Sequence, residues 1–152
     1  MIVTMLVGNI ASGKSGLVKA STCSQVVSRD AWRYKLSEGA YVFDPELELF
    51  IAKCCEAEIL AYCKAGLPFI IDETNMTKKL RKKYLDLIPE EYEKLAIVFP
   101  DRGEESHVKA RLSSNHGNVP ESKWREVYNK MKSKYEEPTK EEGFDTIILY
   151  NI

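Results

Sequence analysis

The chain of 152 residues predicts an α/β fold built on a parallel sheet with helices on both faces. Two observations carry that expectation. Short apolar runs alternate with longer amphipathic stretches, which is the pattern of βαβ units. The runs PFIID (68–72) and KLAIVF (94–99) are apolar at successive rather than alternate positions, as strands buried on both sides require. A third observation sets the number of units. With 44% hydrophobic and 30% charged residues and no Pro/Gly-rich tract, the chain suits a single domain over 1–152 with a substantial core.

Taken in order, IVTMLV (2–7) reads as a first buried strand. It lacks a basic leader, is too short to cross a membrane, and runs directly into a glycine loop. A helix is expected over 14–21, then a second strand in QVVS (25–28), whose end opens into a helix bearing SRDAWRYKL (28–36). The next helix, 46–65, stops at KAGLP (64–68), where Gly66 suits a C-cap and Pro68 a strand start. PFIID follows as the third strand, and 77–87 as a helix. KLAIVF is the fourth strand, 104–114 a helix, and Pro120 marks the start of a helix over 121–135. DTIIL (145–149) closes the series as a fifth strand. There is no internal repeat, linker or low-complexity segment.

Composition narrows the function. A formal net charge of −1 creates no global field for nucleic acid, so such a partner would need a local patch. The densest is TKKLRKK (77–83), either a solvated helix face or a contact to a nucleic-acid backbone. Four cysteines without a C-x-x-C and only two histidines exclude zinc-ligand spacing and suit reduced thiols. The absence of an export signal, membrane span or disulfide framework points to a cytoplasmic protein with no membrane partner.

The chemistry begins at GNIASGKS (8–15), which satisfies G-x-x-x-x-G-K-[ST] between an expected strand and an expected helix. Glycines let the backbone curl with its N–H groups inward, and the following helix N-terminus adds its dipole, so the loop suits the phosphates of ATP. The expected cradle is Gly8, Asn9, Ala11, Ser12, Gly13, Lys14, Ser15 and Gly16. Lys14 would meet the β- and γ-phosphates, and the Ser15 hydroxyl would ligate Mg2+. At the end of the second strand Asp30 and Arg33 stand three apart on one helical face. The carboxylate suits a general base for an attacking hydroxyl and the guanidinium a clamp for an acceptor phosphate, though the two could simply pair with each other. FIIDETN (69–75) brings Asp72 and Glu73 to the end of the third strand, where either could serve Mg2+. HVKARLSSNHGNVP (107–120) has the make-up of a lid, expected around 102–120, with Arg111 neutralising charge on the transferring group. Trp124, Tyr128 and Met131 recur at helical spacing and are expected in the core, while Trp32 and Tyr41 are candidates for stacking on a substrate base.

GNIASGKSGL, SRDAWR, FIIDETN and VKARLSSNHGNVPESKWREVYNKM, in this order and spacing, resemble the kinase domain of phage polynucleotide 5'-kinase and its small P-loop kinase relatives. The resemblance covers nearly the whole chain. It implies a three-layer P-loop kinase fold with strand order 2-3-1-4-5, Asp30 as general base, Arg33 as the contact to the acceptor's phosphate, and the 5'-hydroxyl end of DNA or RNA as acceptor. Small-molecule kinases of this fold, acting on a nucleoside, sugar or other alcohol, share every donor-side residue, and a non-catalytic nucleotide-binding module is a further alternative. The 3'-phosphatase signature Asp-x-Asp-Gly-Thr of bifunctional relatives does not occur here. The chain also departs from its relatives in the lid: where they carry a second arginine, it offers Asn115 and His116, so that either Arg102 or Lys109 substitutes, or turnover is weaker, or the acceptor differs.

Overall fold

The computed structural model of the chain describes residues 1–151. Its elements are β1 (Ile2–Val7), α1 (Lys14–Ala20), β2 (Val26–Val27), α2 (Arg29–Leu36), α3 (Pro45–Ala65), β3 (Phe69–Ile71), α4 (Lys78–Leu85), β4 (Glu93–Val98), α5 (Glu104–Leu112), α6 (Glu121–Lys134), a short 3-10 turn (Lys140–Glu142) and β5 (Thr146–Leu149). The strands form one parallel sheet in the order β2-β3-β1-β4-β5, as the resemblance implied. Because β1 lies in the middle, its end meets the ends of β3 and β4, with β2 just beyond β3.

Alternation along β1 separates the two faces. Val3, Met5 and Val7 enter the main core with Ile51, Cys55 and Ile59 of α3 and Tyr84 and Leu85 of α4. Leu6 points the other way, joining Ile70 and Phe99 beneath Leu17 and Val18 of α1. Burying each of these aliphatic side chains contributes about 1.5–3 kcal/mol. A third cluster joins Ile10 of the glycine loop to Val108 of α5 and to Trp124 and Tyr128 of α6. The last two are core residues, as their spacing predicted, and they fasten the α5–α6 pair to the loop.

Most element ends fall within two residues of expectation, and the differences have local causes. α3 starts where Pro45 occupies its first turn and the Asp44 side chain accepts from the Glu46 N–H; it stops at Gly66, with φ 67°. β2 is shorter than expected, because Ser28 leaves the sheet to cap α2, its hydroxyl accepting from Ala31 N–H at 3.2 Å. The turn at 140–142 was not anticipated; Thr139 and Glu142 close it as a capping box. Among the described residues no helix is long and apolar enough to cross a membrane.

Candidate active site

The glycine loop leaves the fully buried end of β1 and is held from several sides. A Cβ on Gly8 would lie 2.7 Å from Ser12 Oγ and 2.9 Å from Phe99 Cβ, so this position admits only glycine without rearrangement. Gly13 turns the chain into α1 at φ 103°. Ala11, at φ 50°, accepts a left-handed conformation that costs an L-residue about 1–2 kcal/mol. A Cβ on Gly16, by contrast, would meet open space. The Gly8 N–H donates to Thr74 O at 2.9 Å, and Asn75 Nδ2 donates to Leu6 O at 2.7 Å. Asn9 Nδ2 donates to Tyr128 O at 3.1 Å while its Oδ1 accepts from Ile10 N–H at 2.7 Å.

His107 completes this frame. Its Nε2 accepts from the Arg102 N–H at 3.1 Å, so the ring proton sits on Nδ1 and is donated to Ile10 O at 2.6 Å. Nothing in the sequence pointed to this role; a histidine on an amphipathic helix reads only as a core or surface residue.

Lys14 is folded into the loop. Its Nζ donates to Gly8 O at 2.8 Å, Asn9 O at 2.7 Å and Ser12 Oγ at 3.0 Å, using all three ammonium protons. Burial is the main influence on this group and pulls its pKa down to about 8, against the nearby Asp72 carboxylate and together with the Arg111 guanidinium. The N-terminus of α1 has no side-chain cap, so its first amides remain available to an anion. Ser15 is exposed beside them.

The two acids after β3 part ways. Burial pushes the Asp72 carboxyl up while Lys14 pulls it down, so this acid shares the electrostatic space of the loop lysine. Glu73 turns to the α4 side: Tyr84 Oη donates to its two oxygens at 2.8 and 2.9 Å, and Arg29 Nε lies 3.4 Å away. Among the described residues no cluster of three His, Cys, Asp or Glu side chains exists. Ser15 and Asp72 are the residues at this edge that could hold a magnesium ion, which takes few protein ligands and completes its shell with nucleotide oxygens and water.

Asp30 sits in the first turn of α2. Burial works to raise its pKa, but the Arg33 guanidinium, bonded to it, and the charge of Arg111 are among the groups that outweigh burial and depress it to about 2. Its charge is felt at Lys14 and Asp72, which brings the ends of β1, β2 and β3 to one point. Arg33 Nη1 donates to Asp30 Oδ1 at 2.6 Å. The rest of its fork closes on Glu48 of α3, with Nε to Oε1 at 2.7 Å and Nη2 to Oε2 at 3.0 Å, and the Phe43 ring lies 5.4 Å from the guanidinium carbon. Expected as a free clamp, Arg33 is thus already engaged by two carboxylates. Glu48 was not anticipated, since its partner lies 15 residues away in another helix.

Residues of the segment expected as a lid lie against this group. Arg111 stacks on Trp124, 4.7 Å from the ring centroid, and its Nη1 donates to His116 Nε2 at 2.5 Å. His116 in turn lies 3.7 Å from Asp30 Oδ2, among the rings of Tyr34, Tyr41 and Trp124. The Tyr34 hydroxyl donates to the Asn115 carbonyl. His116 thus lies between Arg111 and Asp30, while Arg102 and Lys109 are exposed. Trp32 is also relocated, since its Nε1 donates to Glu58 of α3 at 2.7 Å, away from the lid, whereas Tyr41 does stand beside it. The basic run 77–83 is not one free face: Arg81 is fully buried, and Lys82 and Lys83 pair with Asp86 and Glu56.

Residues 3–138 match the family AAA_33, an AAA domain. No curated protein matches the chain. Among solved structures, a chain of the Pnkp1/Rnl/Hen1 RNA repair complex superposes with a TM-score of 0.66 at 23% identity, over 94% of this chain and 46% of that one. A second structure of the Pnkp1/Rnl/Hen1 complex gives 0.59 at 26% identity, over 78% and 40%. A gluconokinase from Sinorhizobium meliloti 1021 gives 0.55 at 16% identity, over 97% and 81%. The chain thus spans less than half the length of the Pnkp1/Rnl/Hen1 chains it matches, and the likenesses at 23% and 16% identity are of fold alone.

Proposed function

Because this chain belongs to the AAA_33 family of AAA domains, we propose that it transfers the γ-phosphoryl group of ATP to a hydroxyl, with the 5'-hydroxyl of a polynucleotide as preferred acceptor. One observation carries the reading: Asp30 follows β2 at the sheet edge where the glycine loop leaves β1, with Arg33 on one of its oxygens and His116, the partner of Arg111, 3.7 Å from the other. In this reading the uncapped amides of α1 and Lys14 bind the β- and γ-phosphates. Lys14 exchanges its contacts within the loop for phosphate oxygens. Ser15 and Asp72 hold Mg2+, which neutralises charge on the bridging oxygens when bound. As the acceptor oxygen bonds to phosphorus and the bond to the β-phosphate oxygen breaks, Asp30 takes the hydroxyl proton. Arg111 faces the charge that spreads over the transferring group.

The polynucleotide acceptor is supported by the motif resemblance and by the similarity to chains of an RNA repair complex. A second reading, a small neutral alcohol as acceptor, is favoured by one feature. Arg33, the cation that would grip an acceptor phosphate, is occupied by Glu48 and Asp30.

Incubation with γ-labelled ATP and a panel of 5'-hydroxyl DNA and RNA oligonucleotides, nucleosides and sugars separates the two. The oligonucleotides should take the label best. Glu48→Gln, which loosens the grip on Arg33, should lower the oligonucleotide KM by about tenfold, the worth of one charge-assisted hydrogen bond, and leave the nucleoside KM unchanged. Label in small alcohols alone supports the second reading, and ATP binding with no labelled acceptor means a nucleotide-binding module.

A further inference from the structure

We propose that His116 is the positioning residue of the 113–120 segment, an imidazole whose Nε2 lone pair fastens Arg111 beside Asp30. The inference rests on the phosphotransfer reading for its kinetic consequence but not for its geometry. An arginine only donates hydrogen bonds, so the 2.5 Å contact from Arg111 Nη1 requires a lone pair on His116 Nε2. The ring proton is then on Nδ1, which lies 2.7 Å from Ser114 Oγ. The Ser114 hydroxyl is free to accept it, because its own proton goes to the Arg111 carbonyl at 2.6 Å. The chain of donors runs in one direction, and it returns to the residue it began from.

The surroundings fix the ring in place. Tyr41 approaches at 5.0 Å between centroids, Trp124 at 6.1 Å and Tyr34 at 6.3 Å, each near edge-on. Trp124 also carries the Arg111 guanidinium on its face, so the segment bearing His116, α5 and α6 are joined through two side chains. The charged and titratable groups facing His116 are Asp30 and Tyr34 from α2, Arg111 from α5, and Tyr41 from the segment before α3. Arg33 lies one residue further, behind Asp30. Arg111 is felt at Lys14, so the guanidinium that His116 orients is the one directed at the donor phosphates.

The contact matters because the guanidinium has few other fixed partners. Among the described residues Arg111 Nε is buried with no hydrogen-bond partner, so His116 Nε2 and the Trp124 face hold the group, with the Asp30 carboxylate 3.7 Å from the imidazole.

The test compares His116→Gln and His116→Ala with the parent chain. A glutamine oxygen accepts from Arg111 as the imidazole does. His116→Gln should keep kcat within about threefold of the parent, because the accepted hydrogen bond is retained. His116→Ala should fall by roughly tenfold to a hundredfold, the worth of a hydrogen bond to a charged group. An alanine variant equal to the parent, or a glutamine variant as slow as the alanine variant, overturns the proposal. A second readout needs no turnover. In a Trp32→Phe background the emission of Trp124, which carries Arg111 on its face, should differ between His116→Ala and His116→Gln, both of which lack the ring. If that difference is present and no acceptor is phosphorylated, the phosphotransfer reading fails and the contact stands. If the two variants emit alike, the proposal fails whatever the enzyme does.

Discussion

Lys14 illustrates how a single residue ties stability and binding together with opposite signs. Its folded pKa, about 8, lies below the ordinary lysine value near 10.4. Between those two limits the unfolded chain holds the proton that the folded chain has lost, so this group adds stability as pH rises from about 8 to 10.4. Bound triphosphate reverses the preference, since its charge favours the ammonium. The thermal midpoint of the free protein should therefore gain from Lys14 across this interval while the further shift caused by ATP shrinks, relative to Lys14→Met in both cases. Calorimetry at pH 9 in buffers of different ionisation enthalpy should report proton uptake on ATP binding. If binding is proton-neutral at that pH, Lys14 does not exchange its loop contacts for phosphate. Asp30 has the converse sign: its depressed pKa of about 2 contributes stability above the ordinary carboxyl value near 3.9, lost only as pH falls towards 2.

At the scale of elements, α4 is the brace that holds the strand-end turn against the glycine loop. Arg81 is fully buried; its fork meets Glu142 at 2.8 and 3.1 Å, and its Nη1 donates to Asn75 O at 2.8 Å. Asn75 in turn holds β1 through Leu6 O, so a contact between α4 and the 3-10 turn reaches the nucleotide loop in two steps. Glu142→Ala should leave an uncompensated buried charge and cost about 3–5 kcal/mol. That is a fall of roughly 10 °C in thermal midpoint for a chain of this size. ATP affinity should weaken in the same variant, measured well below its midpoint. A midpoint within 2 °C or so of the parent would mean that α4 is not the brace. This device could not be read in TKKLRKK, because the run looks uniformly basic until the fold shows that Arg81 alone points inward. The strands, by contrast, were legible, since continuous apolar runs have few alternatives, and Gly66 and Pro120 mark helix ends by backbone chemistry that does not depend on tertiary context.

Across the whole molecule, the parallel sheet is what makes a site from three separated segments. With β1 flanked by β3 and β4 and with β2 next in line, the loop after β1, Asp30 after β2 and Asp72 after β3 emerge at the same edge. The donor half of this site was legible in eight consecutive residues because its chemistry is local. The proposed acceptor side was only partly legible: Asp30 and Arg33 stand close in sequence, but Glu48 meets Arg33 across 15 residues and His116 approaches Asp30 from far along the chain, and no spacing rule reaches that far. The choice between Asp72 and Glu73 likewise depended on where Tyr84 and Arg29 lie.

The central claim is that Asp30 works as a base rather than as a helix-terminal charge, and Asp30→Asn tests it most directly. Asparagine keeps the size and can still accept from Arg33, but it cannot take a proton. Single-turnover transfer from ATP, measured with ATP affinity and thermal midpoint on the same preparation, should show a rate lower by roughly 10²- to 10⁴-fold with ATP binding nearly unchanged. A parent-like rate accompanied by a lowered midpoint would contradict the account and leave Asp30 a structural partner of Arg33.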